Sequence, residues 1–240
     1  MALRLHPRRI TQALGIIVVI LVLAHVAIQT LRFMTGNDRL HGLVFLFSLG
    51  AETNIPTFYA TFSLLLTALL LAVVGFSHQR DSTFGRAYWL VLAGIFLFLS
   101  MDEMLSFHER MIDPLRNLIG SSGLFLYAWV IPYGIAVGIL GGAYTRFLLS
   151  LPRRTALLFF LAGGLFVTGA IGFEMLGGWH MERYGSANPW YVAIQTIEEV
   201  LEMVGILIFI YALLDYADQH LGGLKLDIAS ATAEGPPGPS

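Results

Sequence analysis

Residues 195–214, QTIEEVLEMVGILIFIYALL, decide how the rest of the chain is read. The stretch is apolar and as long as a membrane crossing, because roughly 20 helical residues at 1.5 Å each match the hydrocarbon thickness. Yet its first half carries Glu198, Glu199 and Glu202, with no lysine or arginine beside them. A carboxylate near the bilayer centre costs about 2.5–3.5 kcal/mol on insertion scales, and less towards the boundary. Something other than a basic side chain must make three of them tolerable.

The whole chain shares this character. Its 240 residues are 56% hydrophobic and 12% charged, with a net charge of −2 and a mean hydropathy of +0.72. Soluble domains carry about twice that charged fraction. The fold class is therefore all-α, a polytopic transmembrane helical bundle. No basic cluster suggests nucleic acid. The absence of cysteine excludes disulfides, thiolate metal sites and cysteine nucleophiles.

Six spans are expected, at about 12–33, 56–77, 87–107, 124–146, 155–178 and 189–216, in one domain covering 1–221. Residues 222–240, rich in Gly, Pro, Ala and Ser, read as a disordered cytoplasmic tail. The N-terminus resembles a signal peptide, but its apolar stretch over 14–31 is too long and lacks a clear cleavage site, so it reads as a retained span. Between spans 1 and 2, HGLVFLFSLG is too short to cross and reads as an interfacial or re-entrant piece. After span 3, HERMIDPLRNLIG continues a helical apolar pattern and is expected to lie along the surface.

Arg4, Arg8, Arg9, Arg80, Arg86, Arg146, Arg153, Arg154 and Lys225 fall on one side of these spans. Arg32, Arg39, Arg110, Arg116 and Arg183 fall on the other. The imbalance places both termini in the cytoplasm. Tyr88, Trp89 and Tyr144 would then form an inner aromatic belt, and Tyr59, Trp179, Trp190 and Tyr191 an outer one.

With this topology the acids gather. Glu52 precedes span 2, Asp102 and Glu103 lie in the outer part of span 3, Glu174 lies near the outer end of span 5, and the three glutamates of span 6 lie in its first half. Glu202 is roughly 20 Å along the helix from Pro189. Tyr191, Gln195, Glu198, Glu202 and Gly205 form one helical stripe, which is expected to face the bundle interior or water. On span 5, Gly163, Ala170, Glu174 and Gly177 share a face, with Gly164, Thr168 and Gly172 in a second row. Such rows suit a central helix. On span 3, Asp102, Ser106 and Glu109 share a face, and Glu103 aligns with Arg110.

Carboxylates without basic partners need protons, water or bound cations. Acids with an imidazole on facing helices are the ingredients of an iron, manganese or zinc site. Glu52, Glu103, His108, Glu174, Glu199 and Glu202 are the candidate ligands of a divalent metal ion, with His180 and Glu109 as weaker ones. Asp102 and Glu198 are the candidates for supporting or proton-relay roles, and for catalysis if there is any. Glu103 and His108 lie about 140° apart around a helix, so His108 joins the site if the helix bends or ends near Ser106.

Other features read as structural. His25 is a packing histidine of span 1, and Tyr127, Pro132 and Tyr133 are packing and a kink in a scaffold span. Pro56 suits the first turn of span 2, with Thr53 or Asn54 as its cap.

The segments ETNIPTFYATFSLLL, LFLSMDEMLSFHERM and IEEVLEMVGILIFIYALL, in that order, resemble the signature of a functionally uncharacterised family of bacterial multi-pass membrane proteins. The resemblance covers about residues 40–215. It implies a shared helical bundle, singles out Glu52, Asp102, Glu103, His108, Glu109, Glu199 and Glu202, and brings no activity. The alkaline ceramidase-like hydrolases are excluded because no helix here carries their paired histidines.

The expected function is an integral protein of the bacterial inner membrane with a carboxylate/histidine metal site, acting on a lipid or other hydrophobic substrate if it is an enzyme. A cation- or proton-coupled carrier and a non-catalytic accessory subunit are the alternatives. The bilayer is the expected partner, and protein partners are not legible.

Overall fold

The computed structural model describes residues 2–4, 6–77, 85–222 and 225–227. The expected apolar runs are helical except at the start of the fourth, where a 3-10 turn at Gly123–Phe125 and further turns precede the helix that begins at Val130. Six long helical segments accompany the expected spans: Pro7–Thr35 (α1), Ile55–Ser77 (α3), Arg86–Leu105 (α4), Val130–Ser150 (α6), Arg153–Tyr184 and Pro189–His220 (α9). Among the described residues, four of them, α1, α3, α4 and Arg153–Tyr184, are long and apolar enough to cross a membrane, against the six expected; α6 and α9 do not meet that measure.

Short elements fill the connections. HGLVFLFSLG forms a single 3-10 turn and the helix Leu43–Phe47 (α2). Phe107–Ile119 (α5) is the expected amphipathic helix. The strands Ala2–Arg4 (β1) and Lys225–Asp227 (β2) pair antiparallel, bringing the chain ends together. The remainder of the expected tail, 228–240, and the loop containing Arg80 lie outside the described residues.

Local chemistry sets the boundaries. Pro7 opens α1, and Gly36 closes it in the left-handed region at φ 66°, donating its N–H to Arg32 O. Asn188 caps α9 by accepting from the Tyr191 N–H at 3.0 Å. Asn54 does the same for α3, accepting from the Thr57 N–H at 3.1 Å. Its amide also donates to Phe45 O at 2.9 Å and Ser48 O at 2.6 Å. One side chain thus starts a helix and folds the preceding loop onto α2.

The packing corrects two expectations. The central helix is α9, which packs on α1, α3 and α7 (Arg153–Val167). A Cβ on Gly205 would lie 2.8 Å from Ala162 O, and one on Gly169 would lie 2.7 Å from Glu198 O, so these glycines allow the approach. Gly163 and Gly164 meet open space instead. The small-residue rows were drawn with an α-helical period, but Thr168–Phe173 is a π-helical segment that shifts the phase before Glu174–Tyr184 (α8). Much of the aromatic belt is core rather than boundary. Trp89 is wholly buried, with Phe147 and Tyr216 at ring distances of 5.1 and 5.3 Å. Tyr59, Tyr144 and Tyr191 are buried too, and Trp190 is exposed.

Candidate metal centre

The site begins with a break. α4 stops at Leu105, and Ser106 adopts the left-handed conformation at φ 51°, ψ 46° before α5 starts. A non-glycine residue there is strained and must be held by its surroundings. The hold is Asp102. Its Oδ1 accepts the His108 backbone N–H at 2.9 Å, and its Oδ2 lies 3.0 Å from His108 Nδ1. Tyr133 of α6 adds a third bond to Oδ1 at 3.2 Å. The conditional reading of His108 is thus met, whereas the continuous faces drawn through Asp102–Ser106–Glu109 and Glu103–Arg110 do not exist.

With Nδ1 against Asp102, the other ring nitrogen of His108 faces Glu52, its Nε2 being 3.9 Å from Glu52 Oε1. Glu52 also accepts from the Ser106 hydroxyl at 3.3 Å. The loop that carries Glu52 is pressed on α9, because Gly50 leaves room for the Gln195 side chain where a Cβ would lie 2.7 Å from its amide. Glu52, His108 and Glu109 each offer a ligand atom, and these atoms lie within 4.8 Å of one another. Glu52 and His108 are partly buried, and Glu109 is exposed.

The other acids surround this group. Glu103 lies within electrostatic range of Glu52, His108, Asp102 and Glu109. Glu202 is within range of Glu103, Glu174 and Glu52, and Glu199 of Glu202, Glu103, Glu52 and Glu174. Glu174 accepts from the Trp129 indole N–H at 2.9 Å, and Glu198 lies within electrostatic range of it. Tyr127 and Tyr191 close that side with a 2.7 Å hydroxyl contact.

Glu103 belongs to the last turn of α4, a 20-residue helix and so about 30 Å long, and Glu202 of α9 lies within electrostatic range of it.

Outside the apolar helices, burial raises the Glu52 carboxyl above its usual range, and neighbouring Glu109 adds to this. His108 and Ser106 oppose it. Burial lowers the His108 imidazole, but the hydrogen bond and charge of Asp102, with Glu52 and Glu103, outweigh it and the net direction is up.

Two histidines stand apart. His25 is buried and fully bonded, as its packing role requires. His180, a weaker ligand candidate, is not part of the Glu52–His108–Glu109 group. Its Nε2 pairs with Asn188 Oδ1 at 3.0 Å, in an open pocket shared with Tyr184 and Trp190. Trp129 and Tyr133 were missed as contributors to the site. The available signal was an aromatic polar handle on a helix otherwise without polar side chains at that level.

These features define a helical protein with membrane-length apolar segments and a carboxylate/histidine cluster at the end of one of them. Residues 13–217 match the model of a family described as Domain of unknown function (DUF8692), and the chain belongs to that family. No curated protein and no solved structure gives a significant match.

Proposed function

We propose that this is a multi-pass protein of the bacterial inner membrane that holds a divalent transition metal ion in its carboxylate/histidine cluster. The observation that carries the reading is the convergence of Glu52, His108 and Glu109 ligand atoms within 4.8 Å. Glu103, Glu174, Glu199 and Glu202 complete the donor set as charge or as ligands. Imidazole with several carboxylates suits manganese, iron or zinc. Asp102 holds the histidine ring by Nδ1 and leaves Nε2 for the ion, the orienting role that a carboxylate plays behind a ligating histidine.

The chain crosses with six helices and both termini in the cytoplasm, and the pairing of β1 with β2 supports an even number of crossings. The cluster then opens at the outer membrane boundary, where a lipid or other hydrophobic substrate is accessible. A metal there would supply Lewis-acid activation of water or of a substrate oxygen.

Metal analysis of protein purified in mild detergent without chelator tests the proposal. Near-stoichiometric manganese, iron or zinc is expected, and it is lost in Glu199→Gln and Glu202→Gln. Protein that carries none and takes up none when each ion is added would overturn it. Weak binding with ion uptake by proteoliposomes would instead put the acids on a transport path.

A further inference from the structure

α5 has an apolar face that the protein covers only in part: Phe107, Met111, Ile112 and Leu115 are half-buried, and Leu118 and Ile119 are exposed. Phe107, Met111, Ile112, Leu115, Leu118 and Ile119 recur at helical spacing on one side, with Glu109, Arg110, Asp113, Arg116 and Asn117 on the other. None of its residues is buried, and Leu118 is 79% exposed. Beyond Gly120, Leu124 and Phe125 continue the exposed apolar surface. The helix packs mainly on α4, and its specific anchor is the pair of His108–Asp102 bonds in its first turn.

Position says what covers this face. α4 alone matches the hydrocarbon thickness, at about 1.5 Å for each residue. One left-handed residue separates it from α5, so α5 begins where the hydrocarbon ends. An amphipathic helix at that level buries its apolar side at the boundary of headgroups and acyl chains, and Arg110 and Arg116 on the other side suit lipid phosphates.

We propose that α5 is seated in the membrane surface, and that this seating holds His108 and Glu109 over the acid cluster. The bilayer is then part of the site: it fixes the helix that delivers the imidazole, and a lifted α5 would expose the cluster to lipid. The inference rests on the membrane and metal reading above, and adds that lipid holds the ligand-bearing helix together with the Asp102 bonds at its first turn.

The cysteine-free chain allows a direct test. Leu118→Cys and Asp113→Cys, about 140° apart around α5 and on its apolar and polar sides, are labelled with an environment-sensitive fluorophore and reconstituted in phosphatidylcholine/phosphatidylglycerol vesicles. Nitroxide-labelled lipids should quench the Leu118→Cys probe severalfold more than the Asp113→Cys probe. Equal, weak quenching at both would overturn the seating while leaving the metal reading intact, since neither probe reports on metal. In nanodiscs, Leu118→Glu should weaken Mn2+ binding severalfold relative to Leu118→Met. An unchanged affinity in Leu118→Glu would overturn the coupling of the helix to the site.

Discussion

His25 and His108 are both held in the protein by polar contacts, and they differ in how much is left over. The Leu49 N–H donates to His25 Nδ1 at 3.0 Å, so Nε2 carries the proton and donates to Thr196 Oγ1 at 3.0 Å. Thr196 passes its own hydrogen to Val192 O at 2.6 Å. The chain closes on a backbone carbonyl, with no charge in it, and ties α1 and the Glu52 loop to α9. His108 has one nitrogen fixed by Asp102, and the other faces Glu52 across 3.9 Å, beyond hydrogen-bond length. Around it stand more carboxylates than one imidazole can balance. A polar network that closes on itself holds helices together, whereas one with surplus charge has capacity for a ligand.

Replacing His25 with alanine should sharpen this contrast most. The buried Leu49 N–H and the half-buried Thr196 hydroxyl lose their bonds and a cavity opens, at a combined cost of about 2–4 kcal/mol. Thermal unfolding should show the loss, while the folded fraction keeps its metal stoichiometry. Metal lost without any loss of stability would erase the distinction between the two sites.

Asp102→Asn should do the reverse. The amide oxygen can still accept from the His108 backbone, so the unfolding midpoint should move little. The charge behind the ring is gone, and metal affinity should fall about 10- to 100-fold, as for other carboxylates behind ligating histidines. Isothermal titration with Mn2+ or Zn2+ measures it. A large drop in stability with unchanged affinity would make Asp102 a purely structural anchor.

The smallest effect is in pH dependence, where stability and binding should slope in opposite directions. In metal-free protein the folded pKa of His108 lies above its usual 6.5. Its protonation therefore adds stability that is complete below that value and is lost as pH rises through the folded pKa. Glu52, raised above 4.5, acts in the same sense at lower pH. Unfolding midpoints of the metal-free protein should fall from pH 6 to pH 8. Metal binding displaces the His108 proton, so affinity should rise by up to about tenfold per pH unit over that window until the folded pKa is passed. Parallel slopes would remove His108 from the site.

The acids of QTIEEVLEMVG were legible as an anomaly, and their gathering with Glu52, Asp102, Glu103 and Glu174 followed from topology alone. His108 was legible only conditionally, because helical spacing put it on the wrong side of Glu103 and nothing in SFHERM announces a left-handed serine. The π-helical segment before Glu174 was equally hidden. It changes phase by a hydrogen-bond shift that leaves no mark on the apolar pattern, so faces drawn across it were wrong. Trp129 and Tyr133 were hidden by their apolar bodies, which read as packing until their N–H and O–H groups were seen to meet Glu174 and Asp102.

What the amino-acid order determined by itself is what depends on summed local burial: helices of membrane length, their approximate ends, the amphipathic α5, and carboxylates that no basic residue accompanies. Hydrophobic free energy adds residue by residue, so a one-dimensional pattern carries it. What only the tertiary structure decided is which helix is central, which side chains meet the acids, and that His108 turns towards Glu52. These depend on single backbone departures at Ser106 and Thr168–Phe173, and on glycine contacts with α9. The break at Ser106 is held by nearby Asp102 together with Glu52 and Tyr133 from other elements, a combination that no local pattern announces.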